Sequence, residues 1–134
     1  MKDIPLVKVV TLVRGKTENI DRRRQFINDL IKNNNLMGYI NWLLIKEFVL
    51  ENVSGLDVYD RDELKEIISM SKNADIDVVI VDNISHLGRN MVKTMHLVEE
   101  INNYGVEVFD VSNNCYVENQ AITDFTISIR NYFN

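Results

Sequence analysis

A chain of 134 residues, 46% hydrophobic and 26% charged, is long enough to bury its own core and too apolar for a disordered segment. Its net charge of −5 is on the acidic side for a nucleic-acid-binding surface, and one cysteine with two histidines excludes an internal disulfide and any metal-ligand spacing. No apolar run reaches the roughly 18 residues of a membrane helix, and Lys2, Asp3 and Pro5 stand where a signal peptide needs its apolar stretch, so a single cytoplasmic domain over residues 1–134 is expected.

The β-branched run Val7, Val9, Val10, Thr11 and Val13 predicts a first strand over residues 6–13, ended by Gly15. Apolar residues at Ile20, Phe26, Ile27, Leu30 and Ile31 form a helical stripe over 20–33 that stops in the run Asn33, Asn34, Asn35. Residues 43–50 read as a second strand, whose charged pair Lys46 and Glu47 places it toward a sheet edge. Ser54 and Gly55 mark a loop over 52–59. Asp60, with Glu63 as capping-box partner, reads as the N-cap of a helix over 61–73 that turns Leu64, Ile67, Ile68 and Met70 inward.

Four branched apolar residues, Val78 to Val81, bounded by Asp77 and Asp82, predict a strand buried on both faces. A polar loop holding Ser85, His86, Gly88 and Arg89 follows it. Met91, Met95, Val98 and Ile101 predict a helix over 91–103, closed by Gly105 in the left-handed conformation. Residues 106–111 read as a fourth strand and 112–118 as a loop. Ile122, Phe125, Ile129 and Phe133 stripe a final amphipathic helix over 119–133. The alternation predicts an α/β fold, with a mostly parallel central sheet of four or five strands flanked by helices.

Sites in such sheets lie at the carboxyl ends of the strands. Arg14 follows the first strand, Arg61 follows the Ser54-Gly55 loop, and His86 and Arg89 follow the third strand. Several guanidinium groups on one edge suit a phosphate, because arginine presents paired donors and keeps its charge. Arg22, Arg23 and Arg24 form a further basic cluster, which is either a phosphate-contacting group or a solvated helix face. Gly15-Lys16-Thr17 is not a nucleotide phosphate loop, since Val10 stands where that motif needs glycine. Asp82 reads as a strand-end cap, because Arg14 and Lys16 occupy the place of the acids that a Mg²⁺ site would need. Cys115 reads as a loop or core thiol.

These residues carry a resemblance. Leu12-Val13-Arg14-Gly15-Lys16-Thr17 is similar to the Tyr-x-Arg-x-Ser-Thr that ends the first strand of the serine site-specific recombinases, the resolvase and invertase family. Ser54-Gly55 followed by Asp60-Arg61 resembles that family's Ser-Gly loop and Asp-Arg pair. Ser85-His86-Leu87-Gly88-Arg89-Asn90 resembles its Ser/Asp-Arg-Leu-Gly-Arg-Asn. The likeness spans residues 6–130 and implies the family's catalytic domain. There a serine attacks the scissile DNA phosphate to form a 5′-phosphoserine link, arginines stabilise the transition state, and no metal or cofactor takes part. It further implies double-stranded DNA as partner, pairing through the last helix, and Arg14, Arg61 and Arg89 as phosphate ligands. The basic cluster itself, and not the resemblance, makes Arg22, Arg23 and Arg24 further candidates for DNA contact.

Three positions depart from the family pattern. Lys16 occupies the nucleophile position, and its amine would have to lose a proton beside several arginines before it could attack. Thr17 is expected to point to the opposite face of an extended segment. His86 replaces an arginine and cannot make the bidentate phosphate contact, and Leu12 replaces the tyrosine. The expectation is a recombinase domain with a degenerate site that does not cleave DNA alone. It would act as a homo-oligomer through its last helix, or as a non-catalytic module that binds DNA or pairs with active recombinase subunits. No separate DNA-binding domain is expected within residues 1–134.

Overall fold

The computed structural model of the chain describes residues 4–117. Strands β1 (Leu6–Gly15), β2 (Asn41–Glu51), β3 (Val78–Val81), β4 (Glu107–Asp110) and β5 (Cys115–Val117) form one sheet in the order β2-β1-β3-β4-β5. The first four are parallel, and β5 runs antiparallel to β4. Helices α1 (Thr17–Met37), α2 (Asp62–Lys72) and α3 (Met91–Asn103) connect the parallel strands, with short 3₁₀ turns at Val58–Asp60 and Ile84–His86. The mostly parallel α/β sheet expected from the alternation is therefore present. None of the helices among the described residues is long and apolar enough to cross a membrane.

The sheet separates two cores. On one face Ile20, Ile27 and Ile31 of α1 pack with Val9, Val13, Trp42, Val78, Ile80 and Phe109. On the other, Leu64 and Ile67 of α2 and Val98 and Ile101 of α3 pack with Val10, Leu12, Phe48, Val79 and Val81. All four residues of β3 are buried because alternate side chains enter opposite cores.

β2 is an edge strand among the described residues, as Lys46 and Glu47 suggested. Its register against β1 slips between Val9 and Val10, whose partners are Leu44 and Lys46, so Ile45 is the extra residue of a bulge. Lys46 then reaches Glu66 of α2 at 2.7 Å. A bulge and an exposed lysine both hinder the addition of another strand.

Three expectations need correction. Helix α1 is longer than the apolar stripe, because Asn35 continues it instead of ending it. The Asn35 side chain accepts from the Trp42 N–H at 2.7 Å and donates to the Trp42 carbonyl at 3.0 Å, tying the helix to β2, and Gly38 at φ 79° stops the helix. Asp60 is not the N-cap of α2. It lies within the Val58–Asp60 turn, whose closing bond (Arg61 N–H to the Val58 carbonyl, 3.2 Å) makes Arg61 the capping residue, without a side-chain cap bond. The expected loop over 112–118 contains β5, which begins at the exposed Cys115. The helix expected over 119–133, with Ile122, Phe125, Ile129 and Phe133, lies outside the described residues.

Candidate functional site

β1 and β3 are hydrogen-bonded neighbours, and the chain leaves β1 for β2 on one side before returning to β3 on the other. The loops that leave their carboxyl ends diverge, and such a switch point opens a crevice in α/β sheets. A cleft of about 1000 Å³ lies there. Arg14 to Asn19, Arg23, the loop from Asn52 to Gly55, and Ser85, His86, Gly88 and Arg89 line it.

Arg14, the last residue but one of β1, joins the two far walls. Its Nε donates to the His86 carbonyl at 3.1 Å and its Nη1 to the Val53 carbonyl at 3.0 Å. Both partners are neutral, so the guanidinium charge remains uncompensated by these bonds. Arg89 is exposed; its backbone N–H donates to the Gly55 carbonyl at 3.0 Å. Among the described residues Arg14, Lys16 and Arg89 form no ion pair, and the lining includes a single carboxylate residue, Glu18.

Lys16 is the N-cap of α1, in an extended conformation and with no side-chain cap bond. The helix start is served from outside. Asn52, held at φ 58° just beyond β2, accepts from the Thr17 N–H at 3.1 Å and donates from its amide nitrogen to Thr17 Oγ1 at 2.8 Å. Asparagine tolerates this left-handed geometry better than most residues. Thr17 thus begins a helix and lines the cleft beside Lys16. The expectation that it faces away fails because the extended segment ends at Lys16, one residue before it.

The basic cluster of α1 divides among three environments. Arg23 lines the cleft and pairs with Asp82 at 2.5 Å, so Asp82 is an ion-pair partner and not a simple strand-end cap. Arg24 turns toward β2, where its hydrogen bond to Glu47 at 3.2 Å, and then the charge of Glu47, raise its guanidinium pKa. Arg22 is exposed and is not a lining residue.

Arg61 is not brought into the cleft either. It is occupied by Glu63 at 3.0 Å, a bond that raises the Arg61 pKa and holds the Glu63 carboxyl below its usual range. His86 lines the cleft from the end of the Ile84–His86 turn. Leu12 is buried in the core beneath α2 and α3. The sequence reasoning missed Asn52 as a cleft residue. Its signal was available as an asparagine directly after a strand, a residue type that accepts positive φ.

Among the described residues, the arrangement presents three cations without carboxylate partners and the first turn of a helix to one crevice, a chemistry suited to an anionic group. Residues 10–134 match the family described as Resolvase, N terminal domain. Among solved structures the chain is similar to the N-terminal catalytic domain of TP901-1 integrase, with a TM-score of 0.70 and 22% identity over 94% of this chain and 95% of that one. It is also similar to a resolvase family site-specific recombinase from Streptococcus pneumoniae, with a TM-score of 0.72 and 14% identity over 92% and 86% of the two chains. A third similar structure is the C-terminal catalytic domain of ISC1926 TnpA, an IS607-like serine recombinase, with a TM-score of 0.63 and 19% identity over 95% and 82%. Among curated proteins there is no match. The family match over nearly the whole chain, on a sheet and cleft of this form, means that the chain belongs to the resolvase N-terminal domain family.

Proposed function

We propose that this domain holds the backbone of double-stranded DNA in the cleft at the ends of β1 and β3, and that it does not cleave the DNA by itself. The observation that carries the reading is the joint placement of Arg14, Lys16 and Arg89 in the cleft, with a lysine at the helix start where the family carries its serine. Arg14 and Arg89 supply fixed positive charge for a phosphate. Lys16 adds a third cation but no hydroxyl. His86 offers a single ring where the family has a forked guanidinium, so transition-state charge receives less support. In an assembly with active recombinase subunits, such a domain contributes DNA affinity without a cut of its own.

The test is covalent chemistry. Purified protein is incubated with supercoiled plasmid and quenched with detergent, and protein-linked DNA is sought. The expected result is no adduct for the wild type; a wild-type adduct would overturn the inactive-site reading. A Lys16→Ser variant that forms an adduct would show the rest of the machinery to be competent, and so locate the loss at this one side chain. Arg61 enters this reading only if its pair with Glu63 opens in the DNA complex. Arg61→Ala is therefore expected to weaken DNA binding less than Arg89→Ala.

A further inference from the structure

Arg89 is exposed, so its place in the cleft depends on the backbone that carries it, and that backbone is held from the neighbouring loop by Tyr59. The Tyr59 hydroxyl accepts from the Asn90 N–H at 3.1 Å and donates to the Asn90 carbonyl at 2.7 Å. It also lies 2.7 Å from Thr94 Oγ1, which itself donates to the Asn90 carbonyl at 3.0 Å. Asn90 is the N-cap of α3, its side chain accepting from the Lys93 N–H at 3.0 Å. One phenol oxygen therefore grips both backbone groups of the residue that follows Arg89.

The residue before Arg89 is engaged by the same group. A Cβ at Gly88 would collide with the Tyr59 hydroxyl and come within 3.1 Å of the Gly55 carbonyl. A Cβ at Gly55 would lie 2.7 Å from Arg89 Cγ and 3.1 Å from its backbone nitrogen. The two loops thus meet backbone to backbone, sealed by the Arg89 N–H bond to the Gly55 carbonyl.

We propose that Tyr59 is a positioning residue for phosphate binding: it clamps the loop of residues 85–90 onto the loop of residues 54–59 and so fixes Arg89 in the cleft. The inference rests on the phosphate-binding reading above, but the clamp itself has a readout that does not. Tyr59→Phe keeps the ring and removes the hydroxyl. The Asn90 N–H then loses its acceptor, and the loop is freed to lift from Gly55.

The experiment compares wild type, Tyr59→Phe, Arg89→Ala and the double variant for affinity to a short DNA duplex over a salt series, with amide exchange of Arg89 and Asn90 in the free protein. If Tyr59 acts through Arg89, Tyr59→Phe weakens binding by about tenfold, the equivalent of one ordinary hydrogen bond. Its slope of log affinity against log salt shrinks toward that of Arg89→Ala, by up to about 0.9. The double variant binds no worse than Arg89→Ala alone. A Tyr59→Phe protein with wild-type affinity and slope would overturn the proposal, even with a lowered melting temperature. If the wild type binds no duplex at any salt, the phosphate reading falls. Faster Arg89 and Asn90 exchange in Tyr59→Phe, relative to Ile80, would then still uphold the clamp, and unchanged exchange would remove it.

Discussion

Lys16 stands at the start of α1, a position that a serine would fill differently. It is the N-cap of a 21-residue helix yet makes no capping bond, and Asn52 serves the Thr17 N–H in its place. Lys16→Ser introduces a favoured capping side chain and is expected to stabilise the fold by about 0.5–1 kcal/mol, measured by thermal denaturation. Asn52→Ala is expected to act in the other direction, by about 1–2 kcal/mol, because the Thr17 N–H and hydroxyl both lose their partner. Arg89→Ala and Arg14→Ala should each reduce the salt slope of duplex binding by about 0.9, the value for one released counterion. Arg14→Ala should also lower stability, since its guanidinium ties the His86 and Val53 carbonyls together.

The Arg61–Glu63 pair makes a prediction with a definite sign. The hydrogen bond from Arg61 lowers the Glu63 pKa in the folded state. A carboxyl depressed on folding contributes stability that is present above its unfolded pKa and lost as pH falls through its folded one. Melting temperatures of wild type and Glu63→Gln are therefore expected to differ near neutral pH and to converge on acidification below the ordinary glutamate range. The effect is small because the pair is partly solvated.

At the scale of elements, the sequence patterns were dependable where one period dominated and misleading where a distant group intervened. The four branched residues Val78 to Val81 were visible as a buried strand because every one of them is apolar, whichever face it meets. The asparagine run looked like a helix end because asparagine is a poor helix interior residue. Its side chain instead satisfies both backbone groups of Trp42, a contact that exists only after β2 has docked. Asn35→Ala is expected to cost about 1–3 kcal/mol in chemical denaturation, more than an exposed helical asparagine would. Local sequence does not show β5 because three residues are too few for a period, and its pairing to β4 supplies what is missing.

At the scale of the molecule, the two cores share β3, whose side chains alternate between them. Ile80→Ala is expected to destabilise the protein by about 2–5 kcal/mol in equilibrium unfolding, with little room for relaxation at a position with no solvent exposure. The sequence by itself determined the order and type of most elements, the parallel sheet, and the motifs that place the chain in its family, because these reside in local periodicity and short spacings. It also put the ends of the first and third strands on one edge of the sheet, where they are neighbours. Only the tertiary structure decided which cations share that cleft. A long basic side chain takes its partner from whichever carboxylate the fold brings near: Asp82, 59 residues away, for Arg23, Glu47, 23 residues away, for Arg24, and Glu63 for Arg61. Arg14, Lys16 and Arg89 are left facing the cleft because no acidic side chain among the described residues is placed to pair with them.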